Sequence, residues 1–158
     1  GWYAFGRNQA IEVISRSKIF TPDIAPVPSF GLDNEGKYYF TGGVSGGYGI
    51  LPTSLSKKAL LCILNSKVSS WYIQQISTQM RGGWYSFESK YIKSIPVPSL
   101  SKGEESKLEE CANQILTTKS QNPSADTAAL EAEIDQLVYQ LYGLTEEEIN
   151  IIEESVSA

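Results

Sequence analysis

The chain has 158 residues, of which 41% are hydrophobic and 20% are charged, the proportions of an ordinary globular protein. It contains no histidine, so the commonest general base and the commonest zinc ligand are both excluded. No apolar run approaches the ~20 residues that span a bilayer, and no charged-then-apolar leader indicates secretion. We therefore expect a cytoplasmic location without membrane contact. Because the chain begins with Gly1 and its only methionine is Met80, we also expect it to be a piece of a larger protein.

The formal net charge of −5 hides an uneven distribution. Residues 1–100 contain ten lysines and arginines against five acidic residues, whereas residues 101–158 contain three lysines against thirteen acidic residues. The first part is thus the candidate for contact with phosphates, and we expect its cations to line a positively charged concavity. The alternative is that the acidic helices are simply well solvated.

Cys62 and Cys111 lack CxxC spacing and lie on apolar helix faces, which predicts buried free thiols in a reducing compartment.

Short strands are predicted at residues 18–21 and 29–32. The prolines at positions 22, 26 and 28 place these strands at sheet edges or beside loops. A turn cluster at residues 33–36 precedes the aromatic run 37–40, which predicts a β-hairpin. The glycine-rich loop at residues 42–49 matches neither the dinucleotide fingerprint nor the P-loop, so it is interpreted as a loop that lets backbone N–H groups approach phosphates.

A helix is predicted to begin with Ser54 or Ser56 as its N-cap and to keep one apolar face from Leu60 to Ile76. Gly82 and Gly83 end that region. Residues 84–87 and 91–97 then have the composition of strands.

The character of the chain changes after Pro98, where two amphipathic helices are predicted at residues 104–119 and 129–142. The second helix ends at Gly143, and a capping box from Thr145 to Glu148 opens a last helix. Their apolar stripe must be buried on the first hundred residues or on a partner. The predicted fold is α+β: a mixed, mainly antiparallel sheet module with one long packed helix at residues 1–100, then a helical hairpin and a short last helix at residues 101–158.

One enzymatic pattern is present. Asp23, followed by Glu35-x-Lys37, matches the acid and acid-x-lysine spacing of Mg²⁺-dependent nucleases, although Glu35 lies in a turn cluster and should project into solvent. The amino-methyltransferase tetrapeptide is absent because the chain has no Pro-Pro pair, so methyl transfer cannot occur on this fragment alone. A further alternative is a protein-interaction module whose helical hairpin dimerises.

Aromatic and basic residues interleave around residues 37–48 and 81–93, a pattern typical of nucleic-acid contact. Arg81 lies beside two glycines and is the predicted base reader; its alternative is an ordinary surface arginine. Lys57 and Lys58 lie in the first turn of a predicted helix, where their positive charge opposes the helix dipole. A bound phosphate would offset this unfavourable position. The alternative is that both lysines are simply solvated. Trp84 and Tyr85 are more typical of a core. The candidate DNA-binding residues are Lys18, Ser45, Tyr48, Lys57, Lys58, Arg81, Lys90 and Lys93.

Four stretches carry a resemblance to a known family. They are residues 47–50, the apolar helix 60–67 that ends in Asn-Ser-Lys, residues 91–98 that close on Ile-Pro-x-Pro, and the run Ile-Asp-x-Leu-Val-Tyr-x-Leu-Tyr-Gly-Leu-Thr at residues 134–145. Together they resemble the TaqI-like C-terminal specificity domain of type IIG restriction-modification enzymes and related adenine-specific DNA methyltransferases. Ile-Pro-x-Pro is also shared with specificity subunits of type I systems.

The resemblance implies a target recognition domain that binds double-stranded DNA and has no catalytic residue, metal or cofactor of its own. It also implies a bacterial parent protein in which an N6-adenine methyltransferase domain of the same polypeptide uses S-adenosylmethionine. Such parents often carry a nuclease, which would use Mg²⁺. Because base contacts differ between members, the resemblance assigns no specific contact residue.

Overall fold

The computed structural model describes residues 10–41 and 46–156, which form short strands and helices. The strands are β1 (Lys18–Pro22), β2 (Ile24–Ala25), β3 (Gly31–Asp33), β4 (Gly47–Ile50), β5 (Gln79–Met80) and β6 (Trp84–Ser86). The helices are α1 (Lys57–Asn65), α2 (Lys67–Ile76), α3 (Ser89–Ile92), α4 (Lys102–Gln121), α5 (Ala128–Tyr142) and α6 (Glu146–Val156). The predicted α+β class, with antiparallel pairing, is confirmed.

The first sheet has the order β3-β1-β4, with both neighbours antiparallel to β1. Ile19 in the central strand is fully buried. The predicted hairpin between residues 29–32 and 37–40 is wrong. The carboxylate of Asp33 accepts hydrogen bonds of 3.0 Å from the backbone N–H groups of Lys37 and Tyr38. Those donors are therefore satisfied by a side chain, and β3 pairs with β1 instead.

The second sheet has the order β2-β6-β5 and is also antiparallel. A single residue, Asp23, separates β2 from β1 of the first sheet. The strand predicted at residues 91–97 is wrong, because the carbonyl of Glu88 accepts bonds from the N–H groups of Tyr91 and Ile92 and opens α3. Pro96 and Pro98, which lack an N–H donor, follow that helix.

The predicted helix beginning at Ser56 is interrupted by Ser66. Ser56 is the N-cap of α1, as expected, and accepts a bond from the N–H of Ala59. At Ser66 the backbone is extended (φ −68°, ψ 160°), so α1 ends there and α2 begins. The Ser66 hydroxyl donates to the carbonyl of Ile63 at 2.7 Å and accepts from the N–H of Ser69. One buried serine therefore caps two consecutive helices.

The three C-terminal helices follow the sequence closely. Ser101 and Glu104 form a capping box at the start of α4, and Thr145 and Glu148 form the predicted one at α6. Gly143 ends α5 in the left-handed conformation, with φ 64°. This boundary was predicted because only glycine adopts that conformation without a steric penalty.

Helix α1 lies between two hydrophobic clusters. Leu60, Leu61 and Leu64 belong to the cluster beneath the sheets. The opposite side of α1 packs on the C-terminal helices, in a cluster that contains Ala59, Cys62, Ile63, Val68, Leu108, Cys111, Ala112, Ile134, Val138, Tyr139 and Ile152. The apolar stripe of α4 and α5 is thus buried on the first hundred residues, and both cysteines are buried free thiols, as predicted.

Polar contacts also join the C-terminal helices to α2. The carboxylate of Asp135 accepts a 2.9 Å bond from the backbone N–H of Lys67, at the first turn of α2. The ammonium of Lys67 pairs with Glu153 on α6, which also accepts a 2.7 Å bond from the buried Tyr139 hydroxyl. Within residues 10–41 and 46–156, no helix combines the length and the hydropathy that crossing a bilayer requires.

Candidate nucleic-acid interface

The β5–β6 hairpin carries Arg81 at its tip. Met80 pairs with Trp84, so residues 81–83 form a three-residue turn. Gly82 and Gly83 have φ angles of +86° and +77°, which strain any residue with a side chain. A Cβ on Gly83 would meet no other atom within 4 Å, so this part of the turn has open space around it. Arg81 is exposed, as its prediction as a base reader requires.

The base of this hairpin is held on three sides. Strand β6 pairs with β2 through Ile24 opposite Ser86. The hydroxyl of Ser77 donates to the carbonyl of Ser86 at 2.6 Å, and the hydroxyls of Thr78 and Tyr91 lie 2.7 Å apart. These bonds connect the hairpin to the end of α2 and to α3. The tip therefore projects from a fixed base.

Lys90 and Lys93 lie on and just after α3, beside that base, and both are exposed. The ammonium of Lys90 is 3.1 Å from the carboxylate of Glu88 and 4.7 Å from the ring centre of Tyr91. The hydrogen bonds to Glu88 and Tyr91 raise the pKa of Lys90, so these contacts stabilise its charged form. Residues 78–98 contain three cations and one carboxylate. The surroundings of the hairpin are thus net positive.

Tyr48 and Asp23 lie at the junction of the two sheets. Asp23 is 6% exposed, and its backbone carbonyl accepts a 2.7 Å bond from the N–H of Phe87. Burial, and then the charge of Glu88, raise the pKa of Asp23. Burial and the charges of Asp23 and Glu88 raise the pKa of Tyr48, while Lys90 lowers it. Tyr48 is opposite Thr21 in the β1–β4 register, which places it at the end of β1 nearest the second sheet.

Other candidates have different roles or positions. The side chain of Lys18 is 3% exposed and its ammonium forms an ion pair with Asp33, so Lys18 has a structural role and is not accessible to DNA. Lys58 donates to the side chain of Asn113 on α4. Lys57 is half-buried in the first turn of α1. Ser45 lies outside the described residues.

The expectation of one positively charged concavity is wrong. Lys18 is buried, Lys58 contacts α4, and Lys67 is paired with Glu153. A cavity of about 460 Å³ lies between α1, α2, α4 and α5, but Glu131 and Asp135 are among its lining residues. Carboxylates in that position repel a polyanion. Among the described residues, the protruding hairpin with Lys90 and Lys93 is the better candidate surface.

The nuclease pattern is not assembled. Lys18 at the start of β1 lies opposite Asp33 at the end of β3. Glu35 and Lys37 follow Asp33 in the chain, so they leave the sheet near the start of β1. Asp23 is five residues farther along, beyond the opposite end of β1, a separation of about 16 Å at the usual rise of a strand. Glu35 and Lys37 form an exposed ion pair with each other. No group of three possible metal-binding side chains occurs among residues 10–41 and 46–156.

Sequence reasoning missed two features of this surface. Trp84 was predicted to be in the core, yet it is 44% exposed at the hairpin tip. The adjacent Gly82 and Gly83 are the signal that could have indicated this, because they offer no side chain to cover an indole. Glu88 was also missed, although Glu88-x-Lys90 repeats the spacing of Glu35-x-Lys37.

Comparisons with known proteins relate this chain to type II DNA methyltransferases. The TaqI-like C-terminal specificity domain matches residues 2–97. The type II methyltransferase M.BstVI of Geobacillus stearothermophilus is 24% identical over 147 residues, which cover 92% of this chain and 23% of that protein. The type II methyltransferase M.PaeR7I of Pseudomonas aeruginosa is 26% identical over 147 residues, covering 93% of this chain and 23% of that protein. This chain therefore spans about a quarter of the length of either relative and belongs to the TaqI-like C-terminal specificity domain family.

Proposed function

We propose that this chain recognises the target sequence in double-stranded DNA for a type II DNA methyltransferase and performs no catalysis itself. Membership of a specificity-domain family supports the proposal, as does similarity to two type II methyltransferases. The observation that carries it is the exposed Arg81 on a glycine turn, projecting from a fixed base with Lys90 and Lys93 beside it.

The geometry suits the major groove, which admits a two-stranded β-ribbon. Arg81 at the tip would pair with O6 and N7 of a guanine, the commonest specific contact to a base edge. Lys93 and Lys90 would neutralise phosphates and fix the register of the ribbon, with Tyr48 as a further contact at the junction of the two sheets. Lys57 remains a candidate phosphate contact on a separate element.

The rest of the proposal concerns the parent protein. An adjoining domain of the same polypeptide would transfer a methyl group from S-adenosylmethionine to N6 of adenine in the bacterial cytoplasm. The acidic helices α4 to α6 would orient the recognition module against that domain. Mg²⁺ enters only if the parent also contains a nuclease. The alternative, a helical hairpin that dimerises, is disfavoured because the apolar stripe of α4 and α5 is already buried within the chain.

Fluorescence anisotropy with a duplex library of randomised core sequence tests the proposal. The chain should bind with an affinity that falls steeply as salt rises. After selection of the preferred duplex, R81A should lose about 1–3 kcal/mol of discrimination at one guanine position. K93A should weaken binding to all duplexes and reduce the salt slope by about 1.

K107A is the matched control, since Lys107 is exposed on the acidic α4. Its affinity and salt slope should equal those of the unaltered chain. Absence of salt-dependent binding to any duplex would overturn the proposal.

A further inference from the structure

We infer that the Met80–Trp84 pair at the tip of the β5–β6 hairpin reads the 5-methyl groups of thymine in the major groove. The inference rests on the proposed function and deepens it, because it assigns apolar specificity residues to a surface that otherwise reads guanine and phosphate.

Register places these two side chains together. Met80 is directly opposite Trp84 in the antiparallel β5–β6 pair, and directly opposed residues project from the same face of a ribbon. Both are exposed, Met80 at 37% and Trp84 at 44%. The pair therefore forms a small apolar surface at the outermost point of a projecting element.

The other face of the ribbon is already used. Gln79 is opposite Tyr85, and Tyr85 is partly buried against the cluster beneath the sheets. The ribbon thus has an inner face that packs on the protein and an outer face that does not. The indole of Trp84 lies along the turn, because a Cβ on Gly82 would be 3.6 Å from its Cδ1 atom. Arg81 and the apolar pair accordingly occupy the same tip.

The charges around this apolar pair indicate which partner it fits. The segment that carries the pair, residues 78–98, contains Arg81, Lys90 and Lys93 against one carboxylate, Glu88, which is itself paired with Lys90; the buried Asp23 at the sheet junction is a second acidic residue of this region. This net positive setting suits a polyanion better than an apolar protein surface. On the major-groove edges of the bases, the apolar group is the C5-methyl of thymine, which protein side chains read by apolar contact. An arginine that reads guanine and an adjacent apolar pair that reads thymine together specify a short mixed sequence.

The test removes single methyl groups from the DNA. The preferred duplex is first selected from the randomised library, and each thymine in it is then replaced by deoxyuridine, which lacks only the C5-methyl group. Binding of the unaltered chain should weaken about fourfold at one or two such positions, the effect of losing one buried methyl-sized group. W84A should bind the thymine and deoxyuridine duplexes equally, and M80A should lose part of the difference. W84F, which keeps an aromatic ring, should retain most of it.

Thermal melting of each variant checks that the fold is intact, as expected for a tip outside both core clusters. The salt slope of W84A should equal that of the unaltered chain, because no phosphate contact is removed. If no thymine replacement weakens binding, or if W84A keeps the same sensitivity, the inference is overturned while salt-dependent DNA binding still stands. If the unaltered chain binds no duplex, both the inference and the proposed function fail.

Discussion

Lys18 and Asp33 face each other across β1 and β3, in directly opposed register, and form a buried ion pair. Asp33 also accepts bonds from the N–H groups of Lys37 and Tyr38, so one carboxylate connects the sheet to the segment that follows it. Burial raises the pKa of Asp33, but the bonds from Lys18, Tyr38 and Lys37 outweigh burial and lower it to about 2. The charged form is thus the one that the fold stabilises.

Replacing Asp33 by asparagine should lower the urea midpoint at neutral pH, because Lys18 would lose its counter-charge in a buried position. Since the pKa of Asp33 is lower in the folded state, its contribution is present above the ordinary value of 3.8 and is lost as pH falls towards about 2. The difference between D33N and the unaltered chain should therefore shrink over that range. E35Q, at an exposed ion pair, is the control and should change the midpoint little. A D33N midpoint equal to that of E35Q would contradict the prediction.

The contribution of Asp23 to stability should depend on pH in the opposite sense to that of Asp33. Burial and Glu88 raise its pKa, so its contribution to stability is present below the ordinary value of 3.8 and is lost as pH rises through the raised pKa. One carboxylate oxygen of Asp23 is buried without a hydrogen-bond partner in the described part of the chain. D23N should therefore raise the melting temperature at neutral pH, by about 2–4 °C for each kcal/mol of relief. The gain should vanish as the pH is lowered towards 3.8.

The control for D23N is D126N. Asp126 is exposed, and its side chain accepts a bond from the N–H of Ala128, which asparagine can also accept. Its melting temperature should stay unchanged. A fall in the melting temperature of D23N at neutral pH would show that the charged form of Asp23 has a stabilising partner.

Ser66 should be costly to replace, because its hydroxyl serves two helices. S66A removes the bond to the carbonyl of Ile63 and the cap of α2 at a position that is 2% exposed. We expect a loss of on the order of 1–2 kcal/mol in the free energy of unfolding, measured by urea denaturation. S54A changes an exposed serine before α1 and should fall within about 0.5 kcal/mol of the unaltered chain. Equal stabilities of S66A and S54A would exclude a capping role.

Removing the carboxylate of Glu88 should strengthen DNA binding, if the proposed function holds. Glu88 pairs with Lys90, so E88Q frees that ammonium for a phosphate and also removes a negative charge from the surface. The salt slope should become steeper by up to about 0.9. E35Q breaks the comparable Lys37–Glu35 pair away from the hairpin and should leave DNA binding unchanged. An unchanged slope for E88Q would mean that Lys90 does not contact DNA.

Local signals predicted the C-terminal part of the fold well. The capping box at Thr145 and the glycine after α5 act within a few residues, so the sequence predicts the start of α6 and the end of α5 directly. Two of the errors, the β-hairpin and the single long helix, arose where a side chain replaced a backbone partner. Asp33 satisfies the donors of residues 37 and 38, and Ser66 ends one helix inside a continuous apolar stripe. Neither contact changes the hydrophobic periodicity from which strands and helices are predicted.

The candidate site was also predicted only in part, because contacts between residues that are distant in the sequence decide which side chains are exposed. Arg81 is exposed on a glycine turn, as its sequence neighbours indicated. Lys18 looked equally available, but its burial depends on Asp33, fifteen residues away in the sequence. Tyr48 lies at the junction of the two sheets only because β4 pairs with β1, with Tyr48 opposite Thr21. Contacts between distant segments decide which cations are free, and composition alone does not report them.

The tip of the β5–β6 hairpin contributes no side chain to either hydrophobic cluster, whereas Tyr85, one residue further along β6, does. Selection for stability therefore constrains Tyr85 and the two glycines of the turn, whose positive φ angles exclude other residues, and leaves Met80, Arg81 and Trp84 free to vary. On the proposed function, a new combination at those three positions would alter which bases are preferred without requiring any compensating change in the scaffold. If the chain has the proposed function, exchange of this short segment between relatives would be a direct route to methyltransferases of altered specificity.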